Sequence, residues 1–204
     1  NMKIDVRKIQ QYIKPWQLLL LFIIFLGIIV RLIDINKVNG MWYDENLCYD
    51  IAKQAFPFGI LDRILNSEYH LPLYYFCLSI WIHLFGDSDV SLRLSSVVPG
   101  VLLIPVMYFL GEEVKSKKLG FLAALMTALS PILIYYSQEV RFYSLLTLFS
   151  ALSALFMLKL IKEENIKNYL CFIFSALVIS YTSPFGIILV FVEILTIFAH
   201  KFSE

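Results

Sequence analysis

The chain has 204 residues, 59% of them hydrophobic, 16% aromatic and only 16% charged, with a formal net charge of +1 and a mean hydropathy of +0.74. Soluble domains carry about a quarter charged residues and close to half apolar ones, so this composition excludes a water-soluble globule, and the small net charge excludes a basic field for nucleic acid. What remains is an all-α integral membrane protein, a polytopic helical bundle in contact with the lipid bilayer.

In chain order, basic residues lead into an apolar run at 17–33. No small-x-small cleavage site follows it and more spans do, so it reads as a retained anchor and not a signal peptide. A bilayer crossing needs roughly 20 mostly apolar residues. Further spans are predicted at 91–110, 119–136, 142–160, 169–182 and 186–200, the last two being short. The whole of 1–204 is expected to be a single transmembrane domain, the N-terminal part of a longer protein. Cys48, Cys77 and Cys171 show no C-x-x-C spacing and encode neither a disulfide framework nor a zinc site.

The stretch "LPLYYFCLSIWIHLF" (71–85) decides the topology. If it does not span, eleven lysines and arginines fall on the N-terminal side and six on the other; if it spans, the division inverts. Cytoplasmic loops carry the excess, so 71–85 is predicted to lie in or re-enter the outer interface. Residues 34–90 then form one long external loop, and the N-terminus is cytoplasmic. The tight turn "SQEVR" (137–141) emerges on the same side, in a membrane of bacterial inner-membrane type.

Within that loop, Leu47, Cys48, Ile51, Ala52 and Ala55 recur at helical spacing opposite Asn46, Asp50, Lys53 and Gln54, predicting an amphipathic helix over 45–56. "PFG" (57–59) is expected to stop it, and a second short helix to run 60–66. Asp44 stands where an N-cap belongs. Glu45 suits the dipole of the first turn, and Trp42 and Tyr43 suit interface anchors.

Several polar residues stand out against the apolar background. Arg93, in "SLRLSS", opens a span and either snorkels or offers its planar fork of donors to a phosphate. "SPILIYYSQEVRFYSLL" (130–146) breaks at Ser130-Pro131 and then packs Glu139 and Arg141 into a short turn before Phe142 and Tyr143. His70, in "YHLPLYY", is a further candidate, and His83 reads as structural. Glu193 lies inside the last span, where a carboxylate wants a partner, and its local sequence supplies none.

The ordered set "WYDE", "HLPLYY", "FGDSDVSLRLSSVVPGVLLIPVMYFLG" and "LAALMTALSPILIYYSQEVRFYSLL" resembles the N-terminal half of the GT-C glycosyltransferases. The nearest branch is the one that includes protein O-mannosyltransferases and aminoarabinose transferases. The likeness runs over about residues 17–160. This chain has His70-Leu71-Pro72 where the family often has His-Pro-Pro. The resemblance implies transfer of a sugar from a polyprenyl-phosphate donor to a lipid, glycan or protein acceptor on the non-cytoplasmic face. It implies catalytic carboxylates at Asp44 and Glu45. Donor and phosphate contacts fall on Arg93, Arg141, Glu139, His70 and Tyr143. A divalent cation stays open, because no His/Cys ligand spacing decides it. Two other classes stay in view. A polyprenyl-lipid transporter segment would place polar groups at mid-membrane. A plain scaffold would let Asp44, Glu45, His70, Arg93, Glu139 and Arg141 point apart.

Overall fold

The computed structural model describes residues 14–36, 40–67 and 71–203, and among these there are ten helices and no strand. They are α1 (Pro15–Leu32), α2 (Tyr43–Ala52), α3 (Phe58–Ser67), α4 (Leu73–Phe85), α5 (Asp89–Val114), α6 (Lys117–Leu129), α7 (Pro131–Ser137), α8 (Tyr143–Lys162), α9 (Ile166–Thr182) and α10 (Pro184–Ser203). Four of them, α1, α5, α8 and α10, are long and apolar enough to cross a bilayer, and α6 with α7 makes a fifth, bent candidate.

The bundle is held by narrow faces. On α1, Leu20, Ile23, Gly27 and Arg31 recur every three or four residues and are buried, while Leu18, Leu21, Phe22 and Phe25 are exposed. In a membrane such exposure means contact with lipid, and packing relies on shape and small residues. The buried face meets Ile104 and Tyr108 of α5 and Ala124 and Ala128 of α6. Where α5 and α6 pass, a side chain added to Gly111 would lie 2.8 Å from the Gly120 Cα, so only glycine permits this approach.

The span expected at 119–136 is broken. α6 and α7 are bent by 57° at Ser130. Pro131 has no N–H, so the Thr127 carbonyl, four residues back, loses its helical donor. Arg31 replaces it: Nη2 donates to the Thr127 carbonyl at 3.0 Å, and Nη1 donates to those of Ala128 at 3.0 Å and Gly27 at 3.1 Å. A fully buried guanidinium on α1 therefore caps the broken end of α6.

Residues 71–85 do not cross. Arg93 near the start of α5 donates to the carbonyls of Ile35 at 3.0 Å and Gly40 at 2.8 Å, so the chain after α1 returns to the end of the bundle it left. α4 has 13 residues, about 20 Å at 1.5 Å per residue, against a hydrocarbon core of about 30 Å. It closes at Gly86, whose φ of +80° suits glycine. Trp81 Nε1 on its last turns donates to the Ser91 carbonyl at 2.9 Å.

The loop helices are shifted from their expected bounds. α2 starts at Tyr43 and ends at Ala52, and "PFG" opens α3 where it was expected to stop α2. Cys48, Ile51 and Ala52 are buried as their spacing required, but Ala55 lies past the helix end and is exposed. These residues join Ile60, Ile64, Tyr74, Tyr75, Leu78, Leu92 and Val140 in a small separate core. The loop is thus a packed cap on one end of the bundle. At the other end gather the pairs Lys162–Glu113 at 2.8 Å, Lys201–Glu164 at 2.6 Å and Lys117–Glu112 at 3.9 Å.

Candidate functional site

The cap brings the two polar motifs together in register. Trp42 Nε1 donates to Glu139 Oε2. Val140 N donates to Glu45 Oε1 at 3.0 Å. Arg141 Nη1 lies 3.4 Å from Asp44 Oδ2. "WYDE" is therefore laced to "EVR" across about a hundred residues of chain. The turn is pinned from behind as well, because Gln138 Nε2 donates to the carbonyls of Arg31 at 3.0 Å and Ile33 at 2.6 Å.

Asp44 is not the N-cap. Trp42 holds that position, and Asp44 falls in the first turn of α2, where its side chain turns to Arg141. Glu45 reaches back instead: Oε2 accepts from the Trp42 N–H at 3.2 Å, half of a capping box. Glu45 is in the first turn as its dipole role required, yet it is fully buried, as is Arg93, and the two pair at 3.4 Å through Arg93 Nε. With its other two nitrogens on Ile35 and Gly40, Arg93 has a protein acceptor for each nitrogen. It neither snorkels nor faces solvent.

Arg141 is placed differently. Its side chain is 11% exposed and that of Asp44 34%, so the pair opens outward while the Glu45–Arg93 pair is sealed beneath it. Arg141 Nη2 donates to the Tyr143 hydroxyl at 3.4 Å, and its guanidinium lies over the Phe142 and Tyr143 rings. Burial pulls its pKa down, but Tyr143, Cys48 and Asp44 more than offset that, and the guanidinium is held above its ordinary value. Cys48 lies beside it, its thiol pushed up to about 11 by burial. Arg141 Nε is buried with no hydrogen-bond partner.

Of the candidate residues, Asp44, Glu45, Arg93, Glu139, Arg141 and Tyr143 belong to this one constellation; they do not point apart. His70 lies outside the described residues. His83 Nδ1 donates to the Ser79 carbonyl, 2.7 Å away, a structural role. Glu193 is remote from the cluster. Its missing partner is Ser153 of α8, whose hydroxyl donates to Oε2. Trp42, read as an anchor, also holds Glu139. The sequence reading passed over Arg31, Gln138 and Tyr74. The signal for Arg31 was Pro131, which strips the Thr127 carbonyl of its donor.

Beside Arg141 a small pocket of about 80 Å³ lies between α4 and the first turns of α5. Among the described residues no group of three His, Cys, Asp or Glu side chains is set to hold a metal ion.

The model of the dolichyl-phosphate-mannose-protein mannosyltransferase family matches residues 69–202. The match takes in α4 to α10, with Arg93, Glu139, Arg141 and Tyr143, and leaves Asp44 and Glu45 before it. No curated protein and no solved structure matches the chain. With about two thirds of its length matched, the chain belongs to the dolichyl-phosphate-mannose-protein mannosyltransferase family, a family of membrane glycosyltransferases of the GT-C type.

Proposed function

We propose that the capped end of the bundle carries the reaction centre of a transferase that takes a sugar from a polyprenyl-phosphate donor, with Asp44 as base and inversion at the anomeric carbon. The observation that carries this reading is the Asp44–Arg141 pair, 3.4 Å apart and open to the outside, which sets a carboxylate beside a cation where a lipid headgroup would lie.

The chemistry follows from those two groups. The acceptor hydroxyl or amine attacks C1 of the sugar, and Asp44 takes its proton. The C1–O bond to the phosphate breaks, and its electron pair stays on the phosphate oxygen. A phosphate leaves without needing a general acid, but the developing charge needs a fixed cation, and Arg141 supplies it. Tyr143 holds the guanidinium in place. Glu45 and Arg93, named as catalytic and phosphate-binding candidates, act here by positioning: their sealed pair fixes the first turn of α2. Glu139 orients the sugar or acceptor, and His70 is a further donor contact. The basic end of the bundle is cytoplasmic and the capped end external, by the excess of lysine and arginine.

The test is sugar transfer by the full-length parent in reconstituted membranes with a polyprenyl-phosphate-sugar pool. Asp44→Asn should abolish transfer while donor binding persists. Normal transfer by Asp44→Asn would overturn the assignment and send the search for the base to Glu139.

A further inference from the structure

At the end of the bundle away from the cap, a second pocket of about 230 Å³ opens where α8 and α10 finish and α9 begins. Lys162 of α8, Glu164 of the turn, Tyr169 of α9, and His200 and Lys201 of α10 line it, together with the apolar Ile161 and Ile197. The protein does not use up either lysine. Lys162 Nζ donates to Glu113 Oε1 at 2.8 Å and to the Glu113 carbonyl, and Lys201 Nζ pairs with Glu164 Oε1 at 2.6 Å. An ammonium carries three N–H donors, so one on Lys162 and two on Lys201 are left for a ligand. Both lysine side chains are more than half exposed. Exposed pairs of this kind contribute little, so a phosphate can share either ammonium at small loss.

The helices that start at this end carry the wrong charge for their own stability. A helix N-terminus favours acids, yet α6 opens on Lys117 and Lys118, and α9 has Lys167 in its first turn, with no acid in the first turn of either. These lysines answer to a negative charge outside the chain. At the end of a membrane bundle the source of that charge is a layer of anionic lipid headgroups. The lining of the pocket selects the same ligand. Lysine binds phosphate as a point charge, while Ile161 and Ile197 suit a phosphate that brings hydrocarbon with it. Leu195, Phe198 and Phe202 are exposed on the last turns of α10, along the path that such a hydrocarbon would take. Glu164 keeps the local field small, which suits a singly charged phosphodiester better than a polyanion. We propose that this pocket binds the headgroup of one anionic phospholipid, with Lys162 and Lys201 each donating to a phosphoryl oxygen, Tyr169 at headgroup depth and the acyl chains along α10. The site needs only that this end of the bundle meets a headgroup layer. It is independent of the roles given to Asp44 and Arg141.

The test is native mass spectrometry of the full-length parent in a neutral detergent, with phosphatidylglycerol titrated in. One phosphatidylglycerol should be retained per chain. Lys162→Gln combined with Lys201→Gln should weaken its binding about tenfold or more, the worth of two lysines at a lipid surface. Lys115→Gln combined with Lys118→Gln removes the same charge from the neighbouring basic loop and should leave binding unchanged. Melting temperatures show whether each variant is folded, and Lys201→Gln alone, at an exposed pair, serves if the double variant is not. Equal loss in the two double variants would mean a diffuse surface charge and overturn the site. Phosphatidylcholine held as tightly as phosphatidylglycerol would show that the charge is not read. Displacement by equimolar glycerol phosphate would replace the lipid with a soluble anion. Retention of no lipid would overturn the proposal outright.

Discussion

Glu45 and Arg93, 48 residues apart in the chain, are both fully buried and meet at 3.4 Å. Around this pair the loop helices, the end of α1 and the turn before α8 are organised. Breaking a buried ion pair leaves a charge without a partner and costs about 3–5 kcal/mol. Glu45→Gln keeps the shape and the acceptor oxygen, so it should cost less than Glu45→Ala. Thermal unfolding of both, together with Arg93→Met and the double variants, would give the coupling energy. A coupling near zero would mean that the two side chains do not support one another.

Asp44→Asn should separate stability from activity. The Asp44–Arg141 pair is about a third exposed on the acid side, and such pairs contribute about 1 kcal/mol or less. Loss of a general base costs on the order of 10²–10⁴ in rate. A variant that melts near wild type and transfers sugar that much more slowly is the expected result. A large loss of stability would point to a structural role instead.

Arg31 should act through the bend. Arg31→Met removes the donors on the Thr127 and Ala128 carbonyls, each worth about 1–3 kcal/mol when buried and unpaired. Pro131→Ala restores the N–H that a continuous helix would give the Thr127 carbonyl. The double variant should therefore be more stable than Arg31→Met alone. Melting temperatures of the three proteins in the same detergent decide this.

Trp42→Phe deletes one indole N–H and with it a donor to Glu139, a residue only 2% exposed. It should destabilise by about 1–3 kcal/mol and loosen the turn that carries Arg141. The expected signature is a larger KM for the donor with a smaller change in kcat. The opposite split would place Trp42 at the reacting atoms.

Cys48 gives a pH dependence. Burial raises its thiol to about 11 from an ordinary 9.0, so above pH 9 the folded protein keeps a proton that the unfolded chain releases. Stability from this group is complete below about pH 9 and falls as pH rises toward 11. Unfolding midpoints measured from pH 8 to 10.5 should decline in wild type and decline less in Cys48→Ala.

The chain's own pattern determined the class of the protein and the location of most of its helices. Apolar runs of bilayer length have few structural alternatives, and the lysine and arginine count placed 71–85 off the list of crossings before any contact was known. The pairing of "WYDE" with "SQEVR" as neighbours on one membrane face was legible in the same way. Which residue touches which was not. Asp44 and Glu45 are adjacent in sequence and equally suited to a cap or a base. A helix turns about 100° per residue, so one carboxylate faces the core and the other faces outward. Only the packing of α2 on α4, with Arg93 of α5 and the turn before α8 reaching Glu45, decides that Glu45 is the sealed one and Asp44 the open one. Arg93 and Arg141 were alike for the same reason. One sits under the cap with an acceptor for each nitrogen, and the other keeps a free Nε beside a pocket that no local sequence signal marks.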